Sequence, residues 1–372
     1  MKTTQKITQI THIAAYYPPH TGGLERVAKI SAEELAKKGN FVHVLTSAIS
    51  GIQRGTETKD NLCVSALWSF EFAHTPFAPT LLWHLLMLPR NSIIHLHLAH
   101  AYWPELVLLA SKLRRIPYIA HFHLDVEPSG FFGPIFVLYK KIVWGPVLRN
   151  ARRVIACSQD QAMVVERKFG VKKENIVVIA NAVSEDFFTN KVYAPSTKQI
   201  RLLYVGRLAL QKRVERLIEA VSKLSIPAHL TIVGDGEDRS KLEALVKKLK
   251  LSNVSFEGRK NDKEMQEYHR SHDAFLIASD KEGGTPLVVL EAMAGGLPIL
   301  GTNVSGVREL LNDTGVLVNE PYAENFARTI EQLWRAPEKL IALSKKSSEK
   351  AKQYKWSRFI DQLEEVYGSI SL

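Results

Sequence analysis

The sequence predicts an α/β protein with two domains, each built on a parallel β-sheet that helices cover on both faces. Short apolar runs rich in β-branched residues alternate with longer helical patterns, and this alternation is typical of parallel sheets. A polar, non-periodic stretch, residues 184–199, separates the first six runs from the last six. The length of 372 residues also suits two domains of ordinary size.

The composition is that of a soluble globular protein. Hydrophobic residues make up 45% of the chain and charged residues 23%. Two cysteines, Cys63 and Cys157, are too few for a disulfide framework or a cysteine-based zinc site, so we expect a reducing, cytoplasmic compartment. Polar residues interrupt residues 1–19, which predicts a first strand rather than a signal peptide, and no apolar window has the length of a membrane span.

Basic residues are concentrated in the N-terminal half. Residues 1–180 carry 21 Lys and Arg against 12 Asp and Glu, whereas the remainder carries 28 against 26, and the net charge is +11. A basic half favours an acidic partner such as anionic lipid headgroups or a charged substrate, although scattered solvated lysines explain the same numbers. No helix-turn-helix, zinc-finger or RNA-binding pattern occurs, so we expect no nucleic-acid partner.

The strand and helix patterns define the predicted domain boundaries. We predict an N-terminal domain over 1–183, a linker over 184–199, a second domain over 200–353 and a C-terminal helix over 354–372. Ligands of such sheets bind beyond the carboxyl ends of the strands. The predicted strands lie near residues 7–16, 41–47, 93–99, 118–124, 153–158, 176–180, 201–206, 229–233, 254–256, 274–278, 298–301 and 315–318.

The first predicted strand ends at Tyr16 and leads into a Gly-containing turn. Pro-Pro-His-Thr-Gly-Gly follows, and a helix is predicted from about Leu24 to Lys38, ending at Gly39. Gly22 and Gly23 allow a ligand to approach the backbone closely at a helix N-terminus.

Histidines are concentrated at the ends of the next two predicted strands. They alternate along each strand and therefore share a face, which suggests either a metal site or polar strand ends that line a cleft. No Cys or Glu accompanies them at the spacing of a metal site, so we favour the cleft. The histidines are His95, His97, His100, His121 and His123.

Residues 128–149 are apolar and aromatic, with Lys140, Lys141 and Arg149 interspersed. The pattern fits a core helix of the N-terminal domain. It also fits an amphipathic surface that meets a hydrophobic acceptor or a membrane.

The second predicted domain opens with a strand, a turn at Gly206 and two cations, Arg207 and Lys212. Arg can bridge two phosphate oxygens, and Lys can neutralise them as a point charge. The next strand leads into Gly234-Asp235-Gly236, which lacks the third Gly of a dinucleotide fingerprint, so a nicotinamide cofactor is not expected.

The chemistry is concentrated in residues 282–302, EGGTPLVVLEAMAGGLPILGT. We predict a Gly-rich turn, a helix with Pro286 in its first turn, a stop at Gly295-Gly296 and a buried strand. The turn offers backbone N–H groups to an anion at a helix N-terminus. Glu282 and Glu291 bracket this position, and carboxylates accept hydrogen bonds from vicinal hydroxyls.

Together these segments resemble the retaining nucleotide-sugar glycosyltransferases of the GT-B type, which have two Rossmann-like domains, and in particular glycosyltransferase family 4 (glycosyl transferases group 1). In that family two Glu residues flank seven others and precede A-M-A-x-G-x-P. Here Glu282 and Glu291 enclose eight residues, and AMAGGLP follows. We predict that a bulge at Gly283-Gly284 absorbs the additional residue. The other segments occur in the family's order along nearly the whole chain.

The resemblance implies roles for individual residues. Arg207 and Lys212 would hold the donor diphosphate, and Glu291 would accept the ribose hydroxyls. Glu282 and His123, which Asp125 closely follows, would contact the transferred sugar. The catalytic candidates are His123, Arg207, Lys212 and Glu282, and the donor-binding candidates are Gly22, Gly23, Gly206, Gly234, Arg259, Gly283, Gly284, Thr285, Pro286, Leu287 and Glu291.

The resemblance also implies the reaction. The expected enzyme moves a hexose from a nucleotide-diphosphate sugar in an interdomain cleft, with UDP-sugar favoured and GDP-mannose as the alternative, to a saccharide or lipid-linked acceptor. No cofactor and no metal are expected, because Arg, Lys and helix dipoles stabilise the leaving diphosphate. The C-terminal helix would pack on the N-terminal domain, which an anionic membrane surface would attract. A nucleotide-sugar epimerase and a non-catalytic nucleotide-binding subunit remain as alternatives.

Overall fold

The computed structural model divides the chain into two compact units. The N-terminal unit comprises Met1–Ala180 with Ser357–Leu372, and the C-terminal unit comprises Asn181–Trp356. The structure describes residues 8–20, 22–49, 51–72, 75–123, 139–189 and 193–370. Within this part of the chain, no helix has both the length and the apolar character needed to cross a membrane.

The N-terminal unit is built on an eight-stranded sheet in the order β10-β9-β8-β7-β1-β2-β4-β3, and a two-stranded hairpin, β5-β6, lies outside it. Only the β3–β4 pair is antiparallel within the described sheet. The strands are β1 (Gln9–Ile13), β2 (Val42–Ser47), β3 (Gly55–Lys59), β4 (Leu62–Leu67), β5 (Phe70–Phe72), β6 (Thr75–Phe77), β7 (Ser92–Leu98), β8 (Tyr118–Phe122), β9 (Arg153–Ala156) and β10 (Ile176–Val178).

The helices of this unit connect consecutive strands and bury one face each. Ser158 begins one of them by accepting a hydrogen bond from the Gln161 amide, and Gly170 ends it in the left-handed conformation. The helices are α1 (Gly23–Lys37), α2 (Leu81–Leu86), α3 (Trp103–Arg114), α4 (Gly145–Asn150) and α5 (Gln159–Phe169), and a π-helical turn, Lys140–Trp144, leads into α4.

The described part of the aromatic segment 128–149 belongs to the core. Trp144, Val147 and Leu148 are fully buried. Lys140 is also buried, with its ammonium 5.0 Å from the centre of the Trp144 ring. The core-helix interpretation therefore holds for Trp144, Val147 and Leu148, whereas Ile142 and Arg149 are exposed, and Lys140 is not a surface charge. Residues 124–138, which include Asp125, lie outside the described residues.

The C-terminal unit has a six-stranded, fully parallel sheet in the order β13-β12-β11-β14-β15-β16. Its strands are β11 (Ile200–Val205), β12 (Ala228–Val233), β13 (Val254–Gly258), β14 (Ala274–Ile277), β15 (Ile299–Thr302) and β16 (Gly315–Val318). Its helices are α6 (Val214–Ser222), α7 (Arg239–Lys248), α8 (Asp262–Ser271), α9 (Leu287–Ala294), α10 (Val307–Leu311), α11 (Ala323–Trp334) and α12 (Pro337–Ala351).

The last helix, α13 (Trp356–Gly368), packs in the N-terminal unit for most of its length. Its apolar stripe is buried, and the Tyr367 hydroxyl lies 2.6 Å from His95 Nδ1. Lys38 at the end of α1 donates to Glu364 at 2.8 Å. The helix begins two residues later than predicted, since the Tyr354 carbonyl accepts a bond from the Val183 amide instead.

All twelve predicted strands are present, and each unit has the predicted α/β architecture. Four strands, β3 to β6, were not predicted. β3 is exposed along its whole length and lacks the apolar alternation that marks a half-buried strand. β5 is also exposed, and its three residues are too few for their alternation to indicate a strand.

Candidate active site

The loop between β14 and α9 carries the first acidic candidate, Glu282. Gly284 takes a positive φ of 98°, and Pro286 precedes the helix with a ψ of 124°. The prediction that Pro286 lies in the first turn of α9 is therefore wrong. Pro286 is the residue before the helix, because its ψ is extended rather than helical. A Cβ on Gly306 would lie 1.6 Å from the Gly284 carbonyl oxygen, so a second loop closes directly against this one.

Glu282 points inward and is paired with the lysine candidate. Lys212 Nζ lies 2.7 Å from Oε1 and 2.8 Å from Oε2 of Glu282, and the Ser279 hydroxyl donates to Oε1 at 2.6 Å. Only 8% of Glu282 is exposed. A charge buried to this extent needs such partners. The structure thus brings Glu282 and Lys212 together, while Glu291 is buried one helical turn into α9.

Arg207 lies in the loop after β11 and faces a different acid. Its Nε donates to Glu237 Oε2 at 3.1 Å, and 71% of its side chain is exposed. The loop itself is fixed by close backbone packing. A Cβ on Gly234 would lie 1.9 Å from the Gly206 carbonyl oxygen, and the Leu208 amide donates to the Asp235 carbonyl at 3.0 Å. Gly234 is therefore required where the two loops meet, whereas a Cβ on Gly206 would lie 2.8 Å from the Tyr204 hydroxyl oxygen.

Two supporting residues were missed by sequence reasoning. Asn181 donates from Nδ2 to the Thr285 carbonyl at 2.8 Å and so holds the loop that opens α9. Ser279 orients Glu282. Neither residue stands in a distinctive local pattern, and Asn181 is 104 residues away from its partner. Leu287 begins α9, and Arg259 is exposed directly after β13.

The first loop of the N-terminal unit is shaped by an acid that the sequence did not single out. Gly22 caps α1, which begins at Gly23. A Cβ on Gly22 would lie 2.1 Å from Glu25 Oε2. Glu25 is buried, and its Oε1 lies 2.9 Å from His20 Nδ1. Tyr16 stacks on His20 with a centroid separation of 4.4 Å. Gly22 therefore leaves room for the Glu25 carboxylate rather than only for a ligand.

His123 follows β8 and is 7% exposed. Burial lowers its pKa to about 3, so the imidazole is neutral at physiological pH. Its Nε2 lies 2.9 Å from His97 Nδ1, and its carbonyl accepts a bond from Gln161 Nε2 at 2.8 Å. The first bond holds the ring, and the second holds the backbone of the same residue.

The buried histidines also include two sets with the spacing of metal ligands, His95-His97-His121 and His121-His123-Cys157, each within 4.8 Å. However, both His97 nitrogens already have imidazole partners. The His95 and His97 rings are stacked at 4.6 Å. In the second set, His121 Nε2 lies 3.5 Å from Cys157 Sγ, and His123 Nε2 pairs with His97. Both sets are thus already engaged in hydrogen bonds, which favours a hydrogen-bonded stack over a metal centre. That the protein needs no metal stays a prediction.

Two family descriptions match the chain in succession. "Glycosyltransferase Family 4" matches residues 21–187 and "Glycosyl transferases group 1" matches residues 186–353. An uncharacterized glycosyltransferase of Methanocaldococcus jannaschii is 25% identical over 284 residues, covering 75% of this chain and 76% of that protein. The O-antigen biosynthesis glycosyltransferase WbnH of Escherichia coli is 32% identical over 205 residues, 54% of this chain and 55% of that one.

The fold has close likenesses among solved structures. HepE of Anabaena, in complex with UDP and glucose, has a TM-score of 0.78 and 18% identity, and the match covers 98% of this chain and 100% of that one. This likeness confirms the predicted fold class.

Proposed function

Since the chain belongs to glycosyltransferase family 4, the glycosyl transferases group 1, we propose that it moves a hexose from a nucleoside-diphosphate sugar to a saccharide or lipid-linked acceptor, with retention at the anomeric carbon. The observation that carries this proposal is the buried Lys212–Glu282 pair at the loop that opens α9. It places a cation and a hydroxyl acceptor where a helix begins, as a diphosphate-linked sugar requires.

The diphosphate would be held by two cations of different character. Among the described residues, the Arg207 side chain is engaged only in an exposed pair with Glu237. Such pairs contribute about 0–1 kcal/mol, so the guanidinium can turn to phosphate at little cost. Lys212 is held in place by Glu282 and adds a fixed positive charge. The amides around Gly284 and Thr285, at the N-terminus of α9, would donate to the remaining oxygens.

The two carboxylates and His123 would recognise hydroxyls. Glu291 would accept the ribose hydroxyls, and Glu282 those of the transferred hexose. His123 would contact the hexose as a neutral imidazole. Retention would follow from attack on the face that the leaving group vacates, with the leaving phosphate oxygen accepting the acceptor's proton. The positive groups stabilise the charge that grows on that phosphate.

We favour UDP as the donor nucleotide because HepE, with the same fold, was crystallised with UDP and glucose. GDP-mannose is the alternative donor. The named activity of WbnH in O-antigen biosynthesis favours an acceptor in cell-envelope polysaccharide synthesis.

The proposed site needs no divalent metal, because Arg207, Lys212 and the α9 dipole supply positive charge at the diphosphate. Turnover should therefore be unchanged by EDTA. Activity that is lost in the chelator and restored by magnesium or manganese would contradict this proposal.

The N-terminal unit would meet its acceptor at an anionic membrane. Its net charge is positive, and helices α2 and α3 pack together and present apolar and basic side chains to solvent. Trp83 is 66%, Met87 60% and Leu113 63% exposed. We call this surface the α2–α3 patch; it comprises Trp83, Met87, Leu109, Lys112, Leu113 and Arg115.

Mass spectrometry of products from a panel of UDP- and GDP-sugars, each with saccharide and lipid-linked acceptors, tests the whole proposal. A glycosylated acceptor together with free nucleoside diphosphate is expected. Conversion of the nucleotide sugar to its epimer without an acceptor would identify an epimerase instead. Tight nucleotide binding without turnover on any pair would identify a non-catalytic subunit.

A further inference from the structure

The inward-facing histidines of β1, β7 and β8 form two separate hydrogen-bonded chains within the N-terminal unit. One chain runs from Tyr367 on α13 through His95 and His121 to Cys157. The other runs from His12 through His97 to His123. The chains lie side by side, and only the second reaches a residue that we assign to the transferred sugar.

The direction of hydrogen-bond donation along the first chain follows from Cys157, the residue at its end. Cys157 donates to the Phe122 carbonyl at 3.8 Å, and a carbonyl only accepts. The Cys157 sulfur, 3.5 Å from His121 Nε2, then accepts from that nitrogen. His121 Nδ1 accepts from His95 Nε2 at 3.2 Å, and His95 Nδ1 accepts from the Tyr367 hydroxyl at 2.6 Å. The protons of Tyr367, His95 and His121 are thus donated within the chain, and that of Cys157 is donated to the Phe122 carbonyl.

The direction of hydrogen-bond donation along the second chain follows from His12, the residue at its beginning. His12 is fully buried, and its Nε2 has no hydrogen-bond partner among the described residues. A buried N–H without an acceptor is rarer in proteins than an under-satisfied acceptor, so the proton of His12 belongs on Nδ1. Nδ1 then donates to His97 Nε2 at 3.1 Å. His97 Nδ1 carries the next proton and donates to His123 Nε2 at 2.9 Å.

All three rings of this chain are neutral. Burial lowers the pKa of His12 and of His123 to about 3 and, together with the neighbouring imidazoles, lowers that of His97 well below its ordinary value. Each ring therefore has one N–H, and a single choice at His12 sets the tautomer of the other two. His123 is left with its Nε2 occupied as an acceptor and its proton on Nδ1.

We infer that His97, oriented by His12, is a positioning residue that fixes His123 as the Nδ1–H tautomer, so that His123 meets the donor sugar as a neutral hydrogen-bond donor and not as a base. This inference rests on the proposed function only for the sugar contact. The tautomer itself is a property of the protein alone. A neutral donor suits a sugar hydroxyl or carbonyl oxygen with a free lone pair.

Nitrogen-15 NMR of the histidine-labelled full chain tests the tautomer without any substrate. The His123 resonances, assigned with His123→Gln, should show a protonated Nδ1 and an unprotonated Nε2. In His97→Phe, which keeps a buried ring but removes the N–H from which His123 Nε2 accepts, the Nδ1–H form is no longer enforced, so the two nitrogen shifts should move from those of a single tautomer toward those of a mixture. A wild-type His123 that carries its proton on Nε2 would overturn the inference, whether or not any transferase activity is found.

Kinetics with a matched variant tests the link to the reaction. His95→Phe makes the same change on the same strand but interrupts the chain that ends at Cys157. We expect His97→Phe to lower kcat/KM for the donor about tenfold, as the loss of one well-placed hydrogen bond does, and His95→Phe to leave it within about twofold, well below the cost of one such bond. Equal losses in the two variants, at matched thermal stability, would show a packing role only. If no donor is turned over by the wild type, the proposed function fails while the NMR result still decides the tautomer.

Discussion

At the residue scale, Arg207 and Lys212 have the same charge but different environments. Arg207 is largely exposed beside Glu237, whereas Lys212 is mostly covered and contacts both oxygens of a buried carboxylate. Removing Arg207 therefore leaves no buried charge unpaired. Removing Lys212 would leave Glu282 buried without its cation, which is a costly defect. Activity effects at Arg207 are thus the easier of the two to interpret.

Arg207→Ala should lower kcat/KM by about 30- to 10³-fold while leaving folding stability unchanged, because it removes a contact to the leaving diphosphate worth about 2–4 kcal/mol. Steady-state kinetics and thermal unfolding measure the two effects. Glu237→Ala, which removes only the partner of the exposed pair, is the control and should remain close to wild type in both. An Arg207→Ala enzyme within a few-fold of wild type would rule out the diphosphate contact.

Substitutions of Glu282 and Glu291 should affect different steps of the reaction. Glu282→Gln keeps the shape of the side chain but removes its charge, and we expect slower turnover because a sugar hydroxyl exchanges a charged acceptor for a weaker, neutral one. Glu291→Gln should instead weaken nucleotide binding, since its proposed partner is the ribose. Calorimetry with the nucleoside diphosphate and single-turnover kinetics distinguish the two. Unchanged turnover in Glu282→Gln would place the first acidic position elsewhere in the loop.

At the scale of elements, the donor loops depend on glycines where two backbones meet. Gly306 and Gly284 are the tightest example, because a Cβ on Gly306 would overlap the Gly284 carbonyl oxygen. Gly296, at the end of α9, has a similar positive φ of 75°, compared with 80° for Gly306, but its nearest neighbours lie at 3.6 and 3.8 Å. The two glycines therefore share a positive φ, although the ψ of −47° puts Gly306 outside the left-handed helical region, and they differ in available space.

Gly296→Ala should cost only the left-handed backbone strain, about 1–2 kcal/mol. Gly306→Ala should destabilise the C-terminal unit by more than that, and should also impair donor binding, because the backbone must move. Thermal unfolding midpoints and donor affinity give the comparison. If the two midpoints fall equally, the close approach of the two loops does not contribute to stability.

At the scale of the whole molecule, the charge asymmetry and the α2–α3 patch lie in the same unit. Each basic residue near an anionic surface contributes about 1 kcal/mol, and the contribution decays within a Debye length. Exposed Trp and Leu side chains add apolar contact with the interface. A few such groups would hold the protein reversibly.

Co-sedimentation with anionic vesicles should therefore show binding that fades at high salt. It should weaken in Lys112→Glu/Arg115→Glu and in Trp83→Ser. Lys247→Glu/Lys248→Glu changes the net charge equally on exposed residues of α7 in the other unit, and it should bind as the wild type does. Equal loss of vesicle binding in both double charge variants would show that binding depends on net charge and not on the α2–α3 patch. Equal pelleting of the protein with neutral and anionic vesicles would exclude electrostatic binding to the membrane.

The sequence by itself determined the features that are written locally. Alternation of strands and helices, with the period of each, specified both sheets and twelve of their strands. The glycines and carboxylates around α9 could be predicted because a helix N-terminus and its ligand groups lie within a few consecutive residues. The family followed from these same segments taken in order.

Only the tertiary structure decided which residues meet. β3 lacks an alternating pattern and β5 has only three residues, and both exist because neighbouring strands supply hydrogen bonds. Lys212 meets Glu282, and Asn181 meets Thr285, across long stretches of chain. The histidines were visible as a pattern, but their order of hydrogen bonding depends on strand register and on burial. Such contacts depend on how distant segments pack, and no short stretch of sequence contains that information.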